Sequence, residues 1–259
     1  MSLYSNILEN PPAYKEPTNE VWEPAILILA DTTIYAESTD SAPLYRLSRA
    51  VATLTASTKE VEFERVEHTV EAKFDEPVVK PRSRHIYTLK YMTKVPGGLG
   101  ARVDGWESPN VFIQSVSRRT MGHLGVKRSR FRPQKGLKVL PIDVSGKDSS
   151  FGSLPSFDKY AKPLFQIQPK DDGANVWTDG DGKALAVEDR GEGQDKLIIT
   201  ASLHRETVDA LVALWCGRIW QCSDENADPL EEGLDGVRRK FRLAKEIQAT
   251  SKTMRGFGV

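Results

Sequence analysis

The fold of this chain is decided by LHRETVDALVALWCGRIWQC, residues 203–222. The centre of this segment, residues 210–217, is apolar without interruption. Apolar side chains keep helical spacing through it, at Val208, Leu211, Val212, Trp215 and Ile219. A surface helix has a polar face, and this helix has none at its centre, so it must be enclosed by protein or lipid. The block is much shorter than the ~20 residues that span a bilayer. We therefore expect a β-sheet curled around one buried helix.

Both ends of the segment carry helix signals. Ser202 is the predicted N-cap, and His204 falls in the first turn as a packing or capping residue. Glu206 near the start and Arg218 near the end each suit the helix dipole. Trp215, Trp220 and the Cys216 thiol are expected in the core.

The chain before this helix consists of short runs rich in β-branched and aromatic residues, from residue 25 to residue 200. Val61, Phe63 and Arg65 alternate with Glu62 and Glu64, as in a half-buried strand. Clusters of Gly and Asp predict hairpin turns between several runs. Evenly spaced short strands without helices between them are typical of an antiparallel sandwich or barrel.

The composition is that of a globular protein of 259 residues, a length that allows one large β domain or two small ones. Its 36 basic and 36 acidic residues cancel, which argues against a general polyanion binder. Cys216 and Cys222 are the only cysteines, so we expect no disulfide framework and a cytoplasmic protein, with peripheral membrane contact allowed. Residues 1–14 lack the apolar core of a signal peptide, and no segment predicts a transmembrane helix.

Three parts are predicted along the chain. Residues 1–24 form a flexible Pro-rich leader, and residues 25–222 form the barrel with its helix. Residues 223–259 form a tail that begins with an acidic stretch, residues 224–235, and continues with an amphipathic, basic helical pattern. We expect that second helix to pack outside the barrel.

This order of elements resembles the Tubby C-terminal-like superfamily, which includes LURP-one-related proteins and phospholipid scramblases. The resemblance lies in DTTIYAESTDSAPLYRLSR, residues 31–49, and in residues 177–220, which include WTDGDGKALAVED and LIITASLHRETVDALVALWCGRIW. It implies a closed antiparallel β-barrel of about twelve strands around a buried C-terminal helix. It also implies phosphoinositide binding through basic side chains. The chain lacks the membrane-inserting segment and cysteine cluster of scramblases, so lipid transport is not implied.

A basic segment, residues 108–142, contains no Asp or Glu. Such a cluster can neutralise phosphates of an anionic membrane. The predicted lipid-binding residues are Arg118, Arg119, Lys127, Arg128, Arg130 and Arg132. The alternative is a solvated basic loop that pairs with the acidic stretch, which could then mask it. Nucleic acid is disfavoured as a partner because few aromatic residues interleave the basic run.

The leader contains a PPxY tetrapeptide. Pro11, Pro12 and Tyr14 match the peptides that WW domains bind in the polyproline II conformation, which is already extended and loses little entropy on binding. The sequence thus predicts a WW-domain partner, with an incidental Pro-rich leader as the alternative.

The sequence contains few features that indicate catalysis. The four histidines are isolated and lack metal-binding spacing, so we predict no catalytic residue, metal site or cofactor. The sequence favours a non-enzymatic binding or adaptor protein. The alternative is a small-molecule-binding protein or enzyme with a pocket at the barrel mouth. Titratable residues converging on such a pocket would favour this alternative.

Overall fold

The structure, a computed structural model, describes residues 20–55, 57–73, 76–92, 108–128, 136–145, 154–170, 173–189, 191 and 193–226. The PPxY residues, Arg130, Arg132, the acidic residues after Glu225 and the predicted second helix lie outside these ranges.

The described chain contains fifteen strands and one α-helix. The first eight strands are β1 (Val21–Trp22), β2 (Ala25–Ala30), β3 (Thr33–Ala36), β4 (Pro43–Leu47), β5 (Glu60–Lys73), β6 (Glu76–Tyr91), β7 (Val111–Ser115) and β8 (Leu124–Arg128). The others are β9 (Leu137–Asp143), β10 (Ser156–Phe157), β11 (Phe165–Pro169), β12 (Asn175–Asp179), β13 (Ala184–Asp189), β14 (Lys196–Ile199) and β15 (Leu203–His204). Helix α1 (Arg205–Asn226) follows directly, and a short 3-10 helix (Val51–Thr53) lies between β4 and β5.

Twelve of these strands form a closed antiparallel barrel. Their order is β9-β11-β12-β13-β14-β2-β3-β4-β5-β6-β7-β8, and pairing of β8 with β9 closes the ring. Strand β10 adds to β9 outside the ring, and β1 pairs with β15 separately. The predicted fold class, a mainly β protein with a closed barrel around a C-terminal helix, is confirmed.

Helix α1 fills the interior of the barrel. Every residue from 208 to 221 is buried, including Trp215, Cys216 and Trp220, as expected from the missing polar face. Gly217 lets the helix approach the wall closely, because a Cβ atom at this position would lie 2.8 Å from Val111 Cγ1 on β7. The helix and the barrel wall are therefore in van der Waals contact at this position, with no room for a side chain.

The helix starts later than predicted. Leu203 and His204 are strand residues that pair with Trp22 and Val21, so His204 does not lie in the first helical turn. The predicted N-cap, Ser202, instead donates a hydrogen bond from its hydroxyl to Glu23 Oε2 over 2.8 Å. Pairing with β1 keeps this part of the chain extended.

The helix also continues beyond Cys222 to Asn226, because its last residues find partners on the barrel. The Ser223 hydroxyl donates to the Ala52 carbonyl over 2.7 Å, and the Tyr91 hydroxyl donates to Asp224 Oδ2 over 2.9 Å. Among the described residues, no helix is both long and apolar enough to cross a membrane.

Replacing Gly217 with Leu should overpack the interface between α1 and β7. We expect a loss of about 1–3 kcal/mol in the free energy of unfolding, measured by urea titration, because Val111 occupies the space. Thr207→Leu, at a partly exposed position of the same helix, is the control and should change stability by about 0.5 kcal/mol or less. Equal effects of the two substitutions would contradict close packing at Gly217.

Candidate anion-binding sites at the two ends of the barrel

The barrel has two ends, which we name by the helix: α1 begins at the proximal end and finishes at the distal end. The basic residues predicted from the sequence divide between them. Arg118 and Arg119 precede β8, whereas Lys127 and Arg128 are its last two residues. At about 3.3 Å per residue, this five-residue strand holds the two pairs apart on opposite ends. The described residues therefore do not form a single basic loop.

A buried carboxylate, Asp209, organises the proximal end. Its side chain is fully buried in the first turns of α1. The Tyr45 hydroxyl donates to Asp209 Oδ1 and Arg65 Nη1 donates to Oδ2, each over 2.8 Å, and Arg205 Nε lies 3.4 Å from Oδ1. Burial raises the pKa of Asp209, and the charges of Arg65 and Arg205 act against that rise. The cluster fixes the start of the helix to β4 and β5.

Arg205 joins this cluster to the first strand of the described chain. Its guanidinium stacks over the Trp22 ring at 4.4 Å from the centroid, and its Nη1 lies 3.4 Å from Glu20 Oε1. The Arg205 amide also donates to the Glu20 carbonyl over 3.0 Å. Strand β1 and the residue before it thus hold the first residue of the helix in place.

The β5–β6 hairpin extends beyond the barrel at this end. Pairing of β4 with β5 ends at Arg65, and pairing of β7 with β6 begins at Tyr87. Between these limits, residues 66–73 of β5 pair with residues 76–83 of β6. Arg84 of β6 lies opposite Arg65 of β5, whose side chain points to Asp209. Arg82 and Lys80 follow Arg84 at a spacing of two residues, so they lie on the same face of the hairpin, further from the barrel.

A contact joins this ribbon to the turn that carries Arg118 and Arg119. Arg84 Nη2 donates to Ser117 Oγ over 3.2 Å, and the two arginines that follow Ser117 are exposed. Together the basic residues form what we call the proximal basic surface: Lys80, Arg82, Arg84, Arg118 and Arg119. The first three were missed from the sequence, although their spacing of two along a strand was a readable signal.

Glu67 is an acidic residue placed against this surface. It forms an ion pair with Arg65, and Arg84 Nη1 lies 3.8 Å from its Oε1. Burial alone would raise the pKa of Glu67, but Arg65, Arg84 and Arg205 outweigh burial and hold that pKa below its usual range. Glu67 is therefore stabilised in its ionised form by the arginines around it.

The distal end contains a cavity of about 290 Å³ between α1 and the barrel wall. Leu137, Ile167 and Pro169 form an apolar wall on β9 and β11. The polar lining comes mostly from the helix and β8, and comprises Arg128, Asn175, Arg218, Gln221, Cys222 and Glu225. Titratable residues therefore converge on a pocket at the barrel mouth.

The floor of this cavity is a buried ion pair between Arg218 and Glu188. Arg218 Nε and Nη2 donate to the Glu188 carboxylate over 2.9 and 3.3 Å. Trp177 Nε1 and Asn175 Nδ2 also donate to it, over 2.8 and 3.0 Å. Arg218 was expected near the helix end as a partner of the dipole, but it lies in the interior and pairs with the wall. The position of Arg218 in an apolar helix could have predicted a buried ion pair, since a buried charge requires a partner.

The rim of the cavity is an ion pair between Arg128 and Glu225, whose side chains are 37% and 47% exposed. Gln221 Nε2 donates to the same Glu225 oxygen over 2.7 Å. This pair is a direct contact between the basic segment and the acidic stretch. Lys127, by contrast, lies over the Phe157 ring at 5.2 Å, on the outer side of the barrel.

No metal-binding arrangement occurs among the residues that the structure describes, which contain no group of three or more His, Cys, Asp or Glu side chains able to hold an ion. Two of the histidines make local hydrogen bonds. His123 Nδ1 accepts from the Ser115 amide over 3.0 Å, and His85 Nε2 lies 2.9 Å from the Tyr87 carbonyl oxygen.

No family model, curated protein or solved structure matches this chain. The Tubby-like resemblance stays a prediction, and function must be inferred from the two ends of the barrel.

Replacing Asp209 with Asn should destabilise the protein, because it leaves Arg65 and Arg205 without their buried counter-charge. We expect a loss of about 3–5 kcal/mol in the free energy of unfolding, measured by denaturant titration. Glu206→Gln, at an exposed position in the same helical turn, is the control and should cost about 0.5 kcal/mol or less. A change as small as the control's would show that the carboxylate charge does not stabilise the proximal end.

Proposed function

We propose that the protein is a non-enzymatic, cytoplasmic binding or adaptor protein that docks on anionic phospholipid head groups through its proximal basic surface. The titratable residues that converge on the distal cavity favour small-molecule binding as a second function. The observation that carries the proposal is the hydrogen bond from Arg84 to Ser117, which brings the β6 cations next to Arg118 and Arg119.

The charge of this surface is suited to a membrane. Each basic residue near an anionic bilayer contributes roughly 1 kcal/mol, so the arginines of the surface together support weak, reversible recruitment. Glu67 offsets part of that charge through its ion pair with Arg65 and its contact with Arg84. Binding should weaken with salt because the side chains are exposed.

The position of the surface also favours docking. It combines an extended two-stranded ribbon with a neighbouring turn at one end of the barrel, so both can approach a flat surface together. Arg128 lies at the opposite end and cannot touch the same membrane at the same time. Arg130 and Arg132 lie outside the described residues, and their role in lipid binding stays a prediction.

The relationship to Tubby-like proteins is part of this proposal. A closed twelve-stranded barrel around a C-terminal helix is the architecture that the resemblance implies. Head-group recognition by basic side chains is the function that the same resemblance implies. Architecture alone does not establish function, so the proposal depends on the basic surface.

Liposome co-sedimentation tests the proposal. The full-length protein should sediment with phosphatidylcholine vesicles that contain phosphatidylserine or phosphoinositide, and not with phosphatidylcholine alone. Arg118→Glu/Arg119→Glu should abolish most of this binding, because two attractive charges become repulsive. Arg128→Glu, at the distal end, is the matched control and should bind like the parent protein. If Arg128→Glu abolishes binding and the double variant retains it, the proximal surface is not the docking site.

The PPxY tetrapeptide supports an adaptor role as a second part of the proposal. We expect an immobilised WW domain of the PPxY-binding class to retain the full-length protein. Tyr14→Ala should remove this interaction, because the aromatic groove loses its tyrosine. Tyr4→Ala, at another tyrosine of the leader, is the control and should have no effect. Retention of the Tyr14→Ala variant would rule out the tetrapeptide as the binding element.

A further inference from the structure

We propose that the distal cavity binds a small organic monoanion, with one carboxylate and a compact apolar body, in competition with Glu225 for Arg128. This site is independent of the proposed membrane surface. It uses different residues at the opposite end of the barrel.

The charge balance of the cavity limits the ligand to one negative charge. Among the residues that the structure describes, four ionised side chains line or underlie it, and Glu188 neutralises Arg218 through two hydrogen bonds within the floor. At the rim, Glu225 neutralises Arg128. A ligand that displaces Glu225 leaves one uncompensated positive charge, which a single carboxylate balances.

The Arg128–Glu225 pair is suited to displacement. Both side chains are partly exposed, and exposed ion pairs contribute little to stability. Glu225 also lies one residue before the end of α1, where the helix dipole is unfavourable for a negative charge, and the last turn contains no basic residue. Release of Glu225 into solvent gives up this exposed pair and the hydrogen bond from Gln221, whereas Arg128 gains a bidentate partner.

Arg218 offers a second contact for the anionic group. Its Nε and Nη2 atoms are committed to Glu188, which holds the guanidinium in place. Within the described part of the chain, its Nη1 atom has no hydrogen-bond partner, and Arg218 lines the cavity. A carboxylate entering at Arg128 therefore shares the cavity with a second guanidinium, which Glu188 holds in place.

The wall opposite the helix sets the size and polarity of the rest of the ligand. Leu137, Ile167 and Pro169 present an apolar surface. Gly136 adopts φ +74°, and a Cβ atom there would lie 2.6 Å from the Ile167 carbonyl oxygen, so the two strands meet closely at this edge. The volume of about 290 Å³ is at the lower limit for ligand pockets, which run from about 300 to 1,000 Å³, and suits a compact body such as one ring.

Ligand-observed NMR on the full-length protein tests the site with benzoate as the probe. Benzamide has the same shape without the charge, and inorganic phosphate has charge without an apolar body. We expect benzoate to bind and the other two to bind at least about tenfold more weakly. Arg128→Gln should weaken benzoate binding about tenfold, and Glu225→Gln should strengthen it severalfold, because the competing charge is gone. Arg119→Gln, at the proximal end, is the control and should bind benzoate like the parent protein.

Several results would overturn the proposal. These are no benzoate binding at millimolar concentration, equal binding of benzamide or phosphate, and unchanged affinity in Arg128→Gln. Near-ultraviolet circular dichroism checks that each variant is folded. If Arg128→Gln does not fold, the Glu225→Gln variant tests the proposal instead. Weaker or unchanged benzoate binding by Glu225→Gln would contradict competition for Arg128. Liposome binding separates this site from the membrane surface, because Arg119→Gln should weaken it and Arg128→Gln should not.

Discussion

A helix without a polar face must be covered on all sides, and this constraint governs the whole molecule. The barrel meets it by closing the ring through β8 and β9, so that no sheet edge remains at the seam. The two charged residues of the buried helix segment, Asp209 and Arg218, are each matched by a partner on the wall. Since one lies towards each end of the helix, the pairs fix its position along the barrel axis as well as its rotation.

The charged and polar groups that a ligand could contact consequently lie at the two ends of the barrel. At the proximal end, the cluster around Asp209 continues outward along the hairpin as exposed cations. At the distal end, the pair of Arg218 and Glu188 forms the floor of a cavity whose rim is closed by Arg128 and Glu225. The former is an open surface suited to a large charged partner. The latter is a partly open cavity suited to a small one.

The sequence was sufficient to predict the helix, the barrel and the burial of Trp215 and Trp220, because periodicity reports local burial directly. It did not separate Arg118 from Arg128, since only the register of β7, β8 and β9 places them on opposite ends. Glu188 and Arg218 are thirty residues apart, and local patterns carry no information on such pairs. The two-residue strands β1 and β15 are too short for any periodic signal, and their pairing removed His204 from the predicted helix.

The order of the elements has a consequence for synthesis. The helix that fills the barrel is the last described element, so every strand leaves the ribosome before the side chains that cover its inner face. Strand β2 must also wait for β14, its neighbour in the ring, which is translated about 170 residues later. A nascent chain of this protein therefore holds apolar strands without their core for most of its translation. Ring closure and docking of the helix are therefore the late, non-local steps of folding, and chaperones should bind the chain before the helix emerges.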